Sequence, residues 1–125
     1  MSSHLPDPEL LKVFSRTIRR HFEEEIARER DAAAVRQATL LPLVREAIAR
    51  ARAEGLCKAA WLFGSYAWGQ PGERSDVDIF VEGRADTIAI ASMVGRACGL
   101  DVHVIDASEA PESLRNRVMA EGQPL

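Results

Sequence analysis

The sequence predicts an α/β protein in which a helical N-terminal part is followed by a small domain of strands and helices. Up to about residue 54, apolar residues repeat every three or four positions, which is the spacing of one helix face. After that point, short apolar runs alternate with helical patterns, and several of these segments end at a glycine. The change of period marks the passage from helices alone to a domain that contains strands.

The N-terminal part contains two helical patterns. The first runs from Pro8 to about Arg30, and its opposite face is charged, as is typical of a solvated helix surface. Its apolar stripe consists of Leu10, Leu11, Phe14, Ile18, Phe22 and Ile26. The second pattern ends at Gly55, and we expect Thr39 to cap it with Pro42 in its first turn. The sequence leaves open whether the two patterns form one kinked helix or two helices.

Three strands and two further helices are predicted after this part. The strand patterns cover residues 58–63, 76–81 and 101–106. The helical patterns cover residues 87–98 and 112–121. Both helical patterns are followed directly by a glycine, Gly99 or Gly122, which is a common helix end. Strands that alternate with helices indicate the α/β (α+β) class.

The composition excludes several classes of protein. The chain has 125 residues, of which 46% are hydrophobic and 28% are charged, which suits one folded domain and is unlike a disordered chain. A net charge of −3 disfavours a protein that coats nucleic acid. No run of about 18 apolar residues predicts a membrane span, and the N-terminus lacks a signal-peptide pattern. Cys57 and Cys98 form no CxxC pair, so we expect neither a disulfide framework nor a zinc site, and a cytoplasmic location.

The residues with recognisable chemistry lie between positions 63 and 81. Gly64 and Ser65 follow a predicted strand and open a short helical turn, where backbone N–H groups and the Ser65 hydroxyl can bind a phosphate. Asp76 and Asp78 are spaced by two, so on a strand their carboxylates project from one face, about 6.6 Å apart along the axis. Such a pair can share one divalent cation with a nucleotide. Each feature alone also fits an ordinary turn or a solubilised strand edge, but their combined order is more specific.

The complete motif contains, in order, Gly64, Ser65, Gly69, Ser75, Asp76 and Asp78. It resembles the signature of the polymerase β-type nucleotidyltransferase superfamily and is most similar to the small bacterial minimal nucleotidyltransferases. The resemblance covers roughly residues 40–125. It implies a small mixed β-sheet flanked by helices, with residues 39–125 as the nucleotidyltransferase domain and residues 1–38 as an additional amphipathic helical extension.

The resemblance also implies a reaction and the residues that perform it. The expected substrate is ATP or another NTP, used with Mg²⁺ or Mn²⁺, and AMP is the expected group transferred. Asp76 and Asp78 are the expected metal ligands and catalytic carboxylates. The expected nucleotide-binding residues are Gly64, Ser65, Arg74 and Ser75. The acceptor implied by the family is a hydroxyl of a partner protein, a HEPN-domain toxin for which this chain is the antitoxin.

Two positions depart from the family pattern. In active relatives the third strand supplies a third carboxylate, and His103 occupies that place here, so we include it among the catalytic candidates. Imidazole is a poorer ligand for Mg²⁺ than a carboxylate, so His103 either joins the chemistry or is an ordinary strand histidine. Asp101 lies on the same predicted strand face and is an alternative ligand. Trp68 stands where many relatives have an arginine, and Arg74 is the candidate replacement for that charge.

Three functions are therefore compatible with the sequence. The first is a nucleotidyltransferase that modifies a partner toxin. The second is a catalytically impaired antitoxin that keeps the fold and neutralises its toxin by binding. The third, a small-molecule nucleotidyltransferase, is disfavoured because the chain has no second domain to hold the substrate. For the N-terminal helix we expect a docking role, with a partner or with a second copy of the chain.

Overall fold

The computed structural model describes residues 7–125 and divides the chain into two compact units, Met1–Ala32 and Ala33–Leu125. The helices are α1 (Pro8–Ala53), α2 (Ser65–Trp68), α3 (Thr87–Cys98) and α4 (Glu112–Glu121), with a 3₁₀ turn at Ala107–Glu109. The strands are β1 (Ala59–Phe63), β2 (Val77–Glu82), β3 (Val102–Asp106) and β4 (Gln123–Pro124). The predicted succession of elements is confirmed, with β4 and the 3₁₀ turn added.

The four strands form one mixed sheet in the order β3-β2-β1-β4. β1 is antiparallel to both β2 and β4, whereas β2 and β3 are parallel and are connected through α3. In the register, Phe63 of β1 and His103 of β3 are both direct partners of Asp78 on β2. The predicted fold class, a small mixed sheet flanked by helices with an additional N-terminal helix, is confirmed.

The two faces of the sheet are covered by different helices. On one face, alternate strand residues pack with α1 and α3 in the larger core, whose fully buried members include Val44, Ile48, Leu62, Val77, Ile79, Ile90 and Val94. On the other face, Phe63 and Phe80 form a smaller core with Val118 of α4. Because strand side chains alternate between faces, Asp78 lies on the face of Phe80 and α4. The candidate site is therefore located at one edge of this smaller core.

The expectation that Thr39 caps a separate second helix is wrong, because α1 continues from Pro8 to Ala53. The Thr39 hydroxyl instead donates a hydrogen bond to the Val35 carbonyl one turn earlier (2.8 Å), which is how threonine is accommodated inside a helix. Pro42 also lies inside the helix rather than in a first turn, and it removes one backbone donor there. Leu40, Val44 and neighbouring side chains bury the surrounding turns, and this packing compensates for the lost hydrogen bond.

The described residues of the first unit, 7–32, are almost entirely exposed. Every residue from 7 to 31 is exposed except Ala27, which is half-buried. Within residues 7–125, no helix is long and apolar enough to cross a membrane. The division of the sequence into 1–38 and 39–125 stays a prediction, and its first six residues lie outside the part that the structure describes.

Candidate functional site

A tight turn between β1 and α2 places Gly64 and Ser65 at the centre of the site. Gly64 has φ 73° and ψ −152°, a conformation that is essentially restricted to glycine. Its carbonyl accepts hydrogen bonds from the N–H groups of both Ala67 and Trp68 (3.0 Å each), which closes the turn. Ser65 and Tyr66 are the first two residues of α2. Their N–H groups therefore have no hydrogen-bond partner within the helix itself.

The Asp78 carboxylate lies directly against this turn. A Cβ atom placed on Gly64 would collide with Oδ2 of Asp78, so only a hydrogen atom fits between the turn and the carboxylate. Asp78 is the second residue of β2, opposite Phe63, and Asp76 lies immediately before the strand begins. The structure therefore brings Gly64 and Asp78 into contact, as the sequence predicts for a phosphate-binding turn beside a metal ligand.

The environment of Asp78 disfavours its negative charge. Partial burial raises the pKa of the Asp78 carboxyl above its usual value, nearby His103 opposes this shift, and Asp76 adds to it by repulsion between carboxylates. The His103 Nδ1 lies 3.9 Å from Asp78 Oδ1, and the imidazole is largely exposed, at 75%. His103 therefore faces the site from β3, at the position directly beside Asp78 in the parallel register. A carboxylate with this unfavourable charge would be stabilised by a bound cation.

Ser75 and Arg74 differ in how the structure places them. The Ser75 hydroxyl accepts a hydrogen bond from the Gly72 N–H (2.8 Å), and the Ser75 N–H donates to the Gly72 carbonyl (3.2 Å). Ser75 thus closes the turn that leads into the two aspartates. Arg74 is exposed, and no ion pair holds it among residues 7–125. The nucleotide-binding roles of both residues stay predictions.

Two side chains of α1 fix the motif loop and were not identified from the sequence. The Arg36 guanidinium donates to the Pro71 carbonyl (3.1 Å) and lies 3.8 Å from the Glu73 carboxylate. Gln37 donates from Nε2 to the carbonyl of Tyr66 in α2 (2.6 Å). Neither residue belongs to a motif, and their polar positions on a helix match those of solvated residues, so only the tertiary structure shows their contacts.

Asp101, the alternative third ligand, and Trp68, the residue at the family's arginine position, lie in different surroundings. The Asp101 side chain is exposed immediately before β3, and its carbonyl accepts a hydrogen bond from Val77 N–H (2.9 Å). Trp68 packs against Phe63 with ring centroids 6.0 Å apart, and the Arg117 guanidinium lies 4.2 Å from its ring centroid. A guanidinium from α4 thus lies beside the motif turn, in addition to the predicted Arg74.

The carboxylates suit a metal ion that is shared with a nucleotide rather than one enclosed by protein. Within residues 7–125, no group of three or more His, Cys, Asp and Glu side chains could hold a metal by itself. Mg²⁺ is commonly bound by one or two carboxylates together with substrate phosphates. Asp76 and Asp78 are two carboxylates of this kind, and Asp78 lies against the Gly64 turn.

A mixed sheet with a Gly-Ser turn beside the second of two closely spaced aspartates is the arrangement expected from the resemblance of the motif to nucleotidyltransferases. The chain matches the family described as polymerase beta, nucleotidyltransferase, over residues 47–125, and it belongs to that family. No curated protein sequence matches the chain significantly.

Solved structures similar to this chain include two with TM-scores above 0.5, and these two agree with the assignment. A protein assigned as a minimal nucleotidyltransferase has 26% identity and a TM-score of 0.61, over 71% of this chain and 95% of the other. A toxin-antitoxin with AMP-PNP has 25% identity and a TM-score of 0.51, over 70% of each chain. A tri-AMPylated Shewanella oneidensis HEPN toxin in complex with MNT antitoxin has 26% identity and a TM-score of 0.43, over 74% of this chain and 70% of the other.

The contact between Gly64 and Asp78 leads to a first prediction. We expect Gly64→Ala to lower the free energy of unfolding by ~1–3 kcal/mol, because alanine is strained at this φ and ψ. It should also displace the Asp78 carboxylate and abolish binding of Mg²⁺·ATP, measured by calorimetry on protein shown to be folded by circular dichroism. The matched control is Gly99→Ala, since Gly99 also has positive φ (70°) but has open space around its Cβ position. Equal loss of nucleotide binding in both variants would contradict the role of the turn.

Proposed function

We propose that this protein is a metal-dependent nucleotidyltransferase that transfers AMP from ATP to a hydroxyl group of a partner protein. The observation that carries the proposal is the contact between the Gly64 turn and the Asp78 carboxylate, because it brings the proposed phosphate-binding turn next to a proposed metal ligand. In the reaction, the acceptor oxygen forms a bond to the α-phosphorus and the bond to the β-phosphate oxygen breaks. Pyrophosphate leaves, and the acceptor hydroxyl loses its proton.

The chain's own residues have separate tasks in this proposal. The N–H groups at the start of α2 and the Ser65 hydroxyl bind the β- and γ-phosphates. Asp76 and Asp78 hold the metal ion, which when bound neutralises phosphate charge. The packing of Asp78 against Gly64 keeps the carboxylate fixed relative to the turn, so positioning and charge supply most of the catalysis.

The partner we propose is a HEPN-type toxin, with this chain as its antitoxin. The support is the resemblance of the motif to minimal nucleotidyltransferases and the similarity to a solved toxin-antitoxin with AMP-PNP.

The experiment that tests the proposal uses α-phosphate-labelled ATP, Mg²⁺ and a HEPN toxin co-expressed with this chain. We expect label on the toxin with wild-type protein and none with the double variant Asp76→Asn and Asp78→Asn. A matched control is Glu82→Gln, which removes an exposed carboxylate from the far end of the same strand. Labelling that survives the double variant would contradict the proposed metal ligands.

A second candidate function is favoured by the place of His103. This imidazole, rather than a carboxylate, is the β3 neighbour of Asp78, so the described residues offer no third acid at that position. The alternative is an antitoxin that binds its toxin without modifying it. Under this alternative the toxin is inhibited equally by the wild type and by the double aspartate variant, and no label is transferred.

A further inference from the structure

The first 25 residues of α1, positions 8–32, carry an apolar stripe of exposed side chains. Between 41% and 64% of each large side chain in the stripe is exposed, as measured for Leu10, Leu11, Phe14, Ile18, Phe22 and Ile26. This segment is about 37 Å long, and in proteins most of the stability of such a helix comes from packing of its apolar face. We therefore expect another protein surface to pack on the stripe, and the charges around the stripe indicate which surface this is.

The two halves of this helix carry opposite charges. Residues 10–22 contain four basic residues and no acidic residue, whereas residues 23–31 contain five acidic residues and two arginines. The basic half flanks its stripe with Lys12, Arg16 and Arg19, which follow one another at spacings of four and three and so share one side of the helix. In the acidic half, Glu25 and Glu29 lie among the stripe residues for the same reason.

The surface of the helix shows the same division. One shallow groove is lined by Leu11, Lys12, Ser15, Arg16 and Arg19, and a second is lined by Glu25, Arg28 and Glu29. Among residues 7–125, no ion pair engages Arg16, Arg19, Glu23 or Glu29, while Lys12 and Glu25 pair only with Glu9 and His21 of the same helix. These charges are available to a partner.

We infer that this segment is a homodimerisation element in which two copies of the helix pair in antiparallel orientation. A reversed copy places the basic half of each chain on the acidic half of the other, so both ends of the contact are complementary at once. A parallel copy would oppose basic with basic and acidic with acidic residues. The uninterrupted apolar stripe of the basic half, around Phe14 and Ile18, then covers the part of the stripe around Phe22 and Ile26 in the other copy. The inference is independent of the proposed nucleotide chemistry.

The test reverses one half of the charge pattern at a time in the full-length chain. One variant combines Lys12→Glu, Arg16→Glu and Arg19→Glu, and another combines Glu23→Arg, Glu25→Arg and Glu29→Arg. In sedimentation velocity we expect the wild type to dimerise and each triple variant to weaken the dimer by more than about tenfold, since each copy loses several ion pairs. An equimolar mixture of the two triple variants should form a dimer of one copy of each.

Three further measurements keep the inference falsifiable if a triple variant loses its helix. The sixfold variant restores complementarity with reversed signs and should dimerise like the wild type. Raising the salt to about 1 M, where the Debye length is ~3 Å, should weaken the wild-type dimer. Phe14→Asp should also weaken it, whereas Ile88→Asp, at a position that is 83% exposed on α3, should not. A monomeric wild type, a dimer indifferent to reversal of either half, or a mixture of triple variants that stays monomeric would each overturn the inference.

Discussion

Asp78→Asn should remove nucleotide transfer while leaving the protein at least as stable as the wild type. The asparagine keeps the shape of the side chain against Gly64 but removes the charge that we propose holds the metal. Loss of one fixed, charge-stabilising group of this kind lowers the rate by about 10²–10³-fold. The loss of rate is measured by transfer of labelled AMP, and the loss of metal-dependent nucleotide binding is measured by calorimetry with Mg²⁺·ATP.

The expected gain in stability follows from the pKa of Asp78. Burial raises this pKa, so the folded protein holds the proton more tightly than the unfolded chain does. In the absence of metal, the free energy of unfolding therefore falls as the pH rises from the ordinary aspartate value through the folded-state value, and it stays lowered at neutral pH. The asparagine side chain of the Asp78→Asn variant carries no charge and avoids this cost.

Thermal unfolding at neutral pH without added metal checks this part of the prediction. We expect the Tm of Asp78→Asn to equal or exceed that of the wild type, and the rise in Tm on addition of Mg²⁺·ATP to be lost. Glu82→Gln should show neither change because this carboxylate is exposed at the opposite end of β2. An Asp78→Asn variant that unfolds at a lower temperature would show a structural role for the carboxylate and would contradict the assignment.

The sequence predicted the elements around the site well because local signals dominate there. The glycines at 99 and 122 end α3 and α4 as expected, and the buried strands follow from short apolar runs. The motif indicated a glycine at position 64, and the structure adds a reason that the sequence does not contain, since a side chain there would occupy the space of the Asp78 carboxylate.

Other features depend on tertiary contacts that leave no local signal. The continuation of α1 through Pro42 is decided by packing of the following turns on the sheet, which outweighs the lost backbone donor. The contacts of Arg36 and Gln37 with the motif loop join residues 29 to 37 positions apart in sequence. The pairing of β1 with the C-terminal β4 involves only two residues, too few to form a recognisable pattern.

His103→Asp should increase the rate of AMP transfer by about 10²-fold, which is the lower end of what a positioned proton acceptor contributes. The substituted carboxylate would stand beside Asp78, because the two positions are direct partners in the parallel register and their side chains approach within 3.9 Å in the wild type. It would offer a hard oxygen ligand close to the acceptor hydroxyl where the wild type offers an imidazole nitrogen. The control is His103→Asn, which removes the imidazole without adding a charge and should not increase the rate.

The same substitution should change the response to metal in a defined direction. Without metal, a third carboxylate repels Asp78 and Asp76, so we expect His103→Asp to unfold at a lower temperature than the wild type. Added Mg²⁺ should reverse this order, because the cation is attracted to three carboxylates instead of two.

The wild type should transfer AMP faster with Mn²⁺ than with Mg²⁺, since Mn²⁺ accepts nitrogen ligands more readily. Asp101→Asn should abolish the residual wild-type transfer if that carboxylate serves as the third ligand. A wild type that is as fast as His103→Asp and insensitive to Asp101→Asn would show either that position 103 is not the place of the third acid or that the imidazole itself acts in the reaction. In both cases the impaired-enzyme alternative would be wrong.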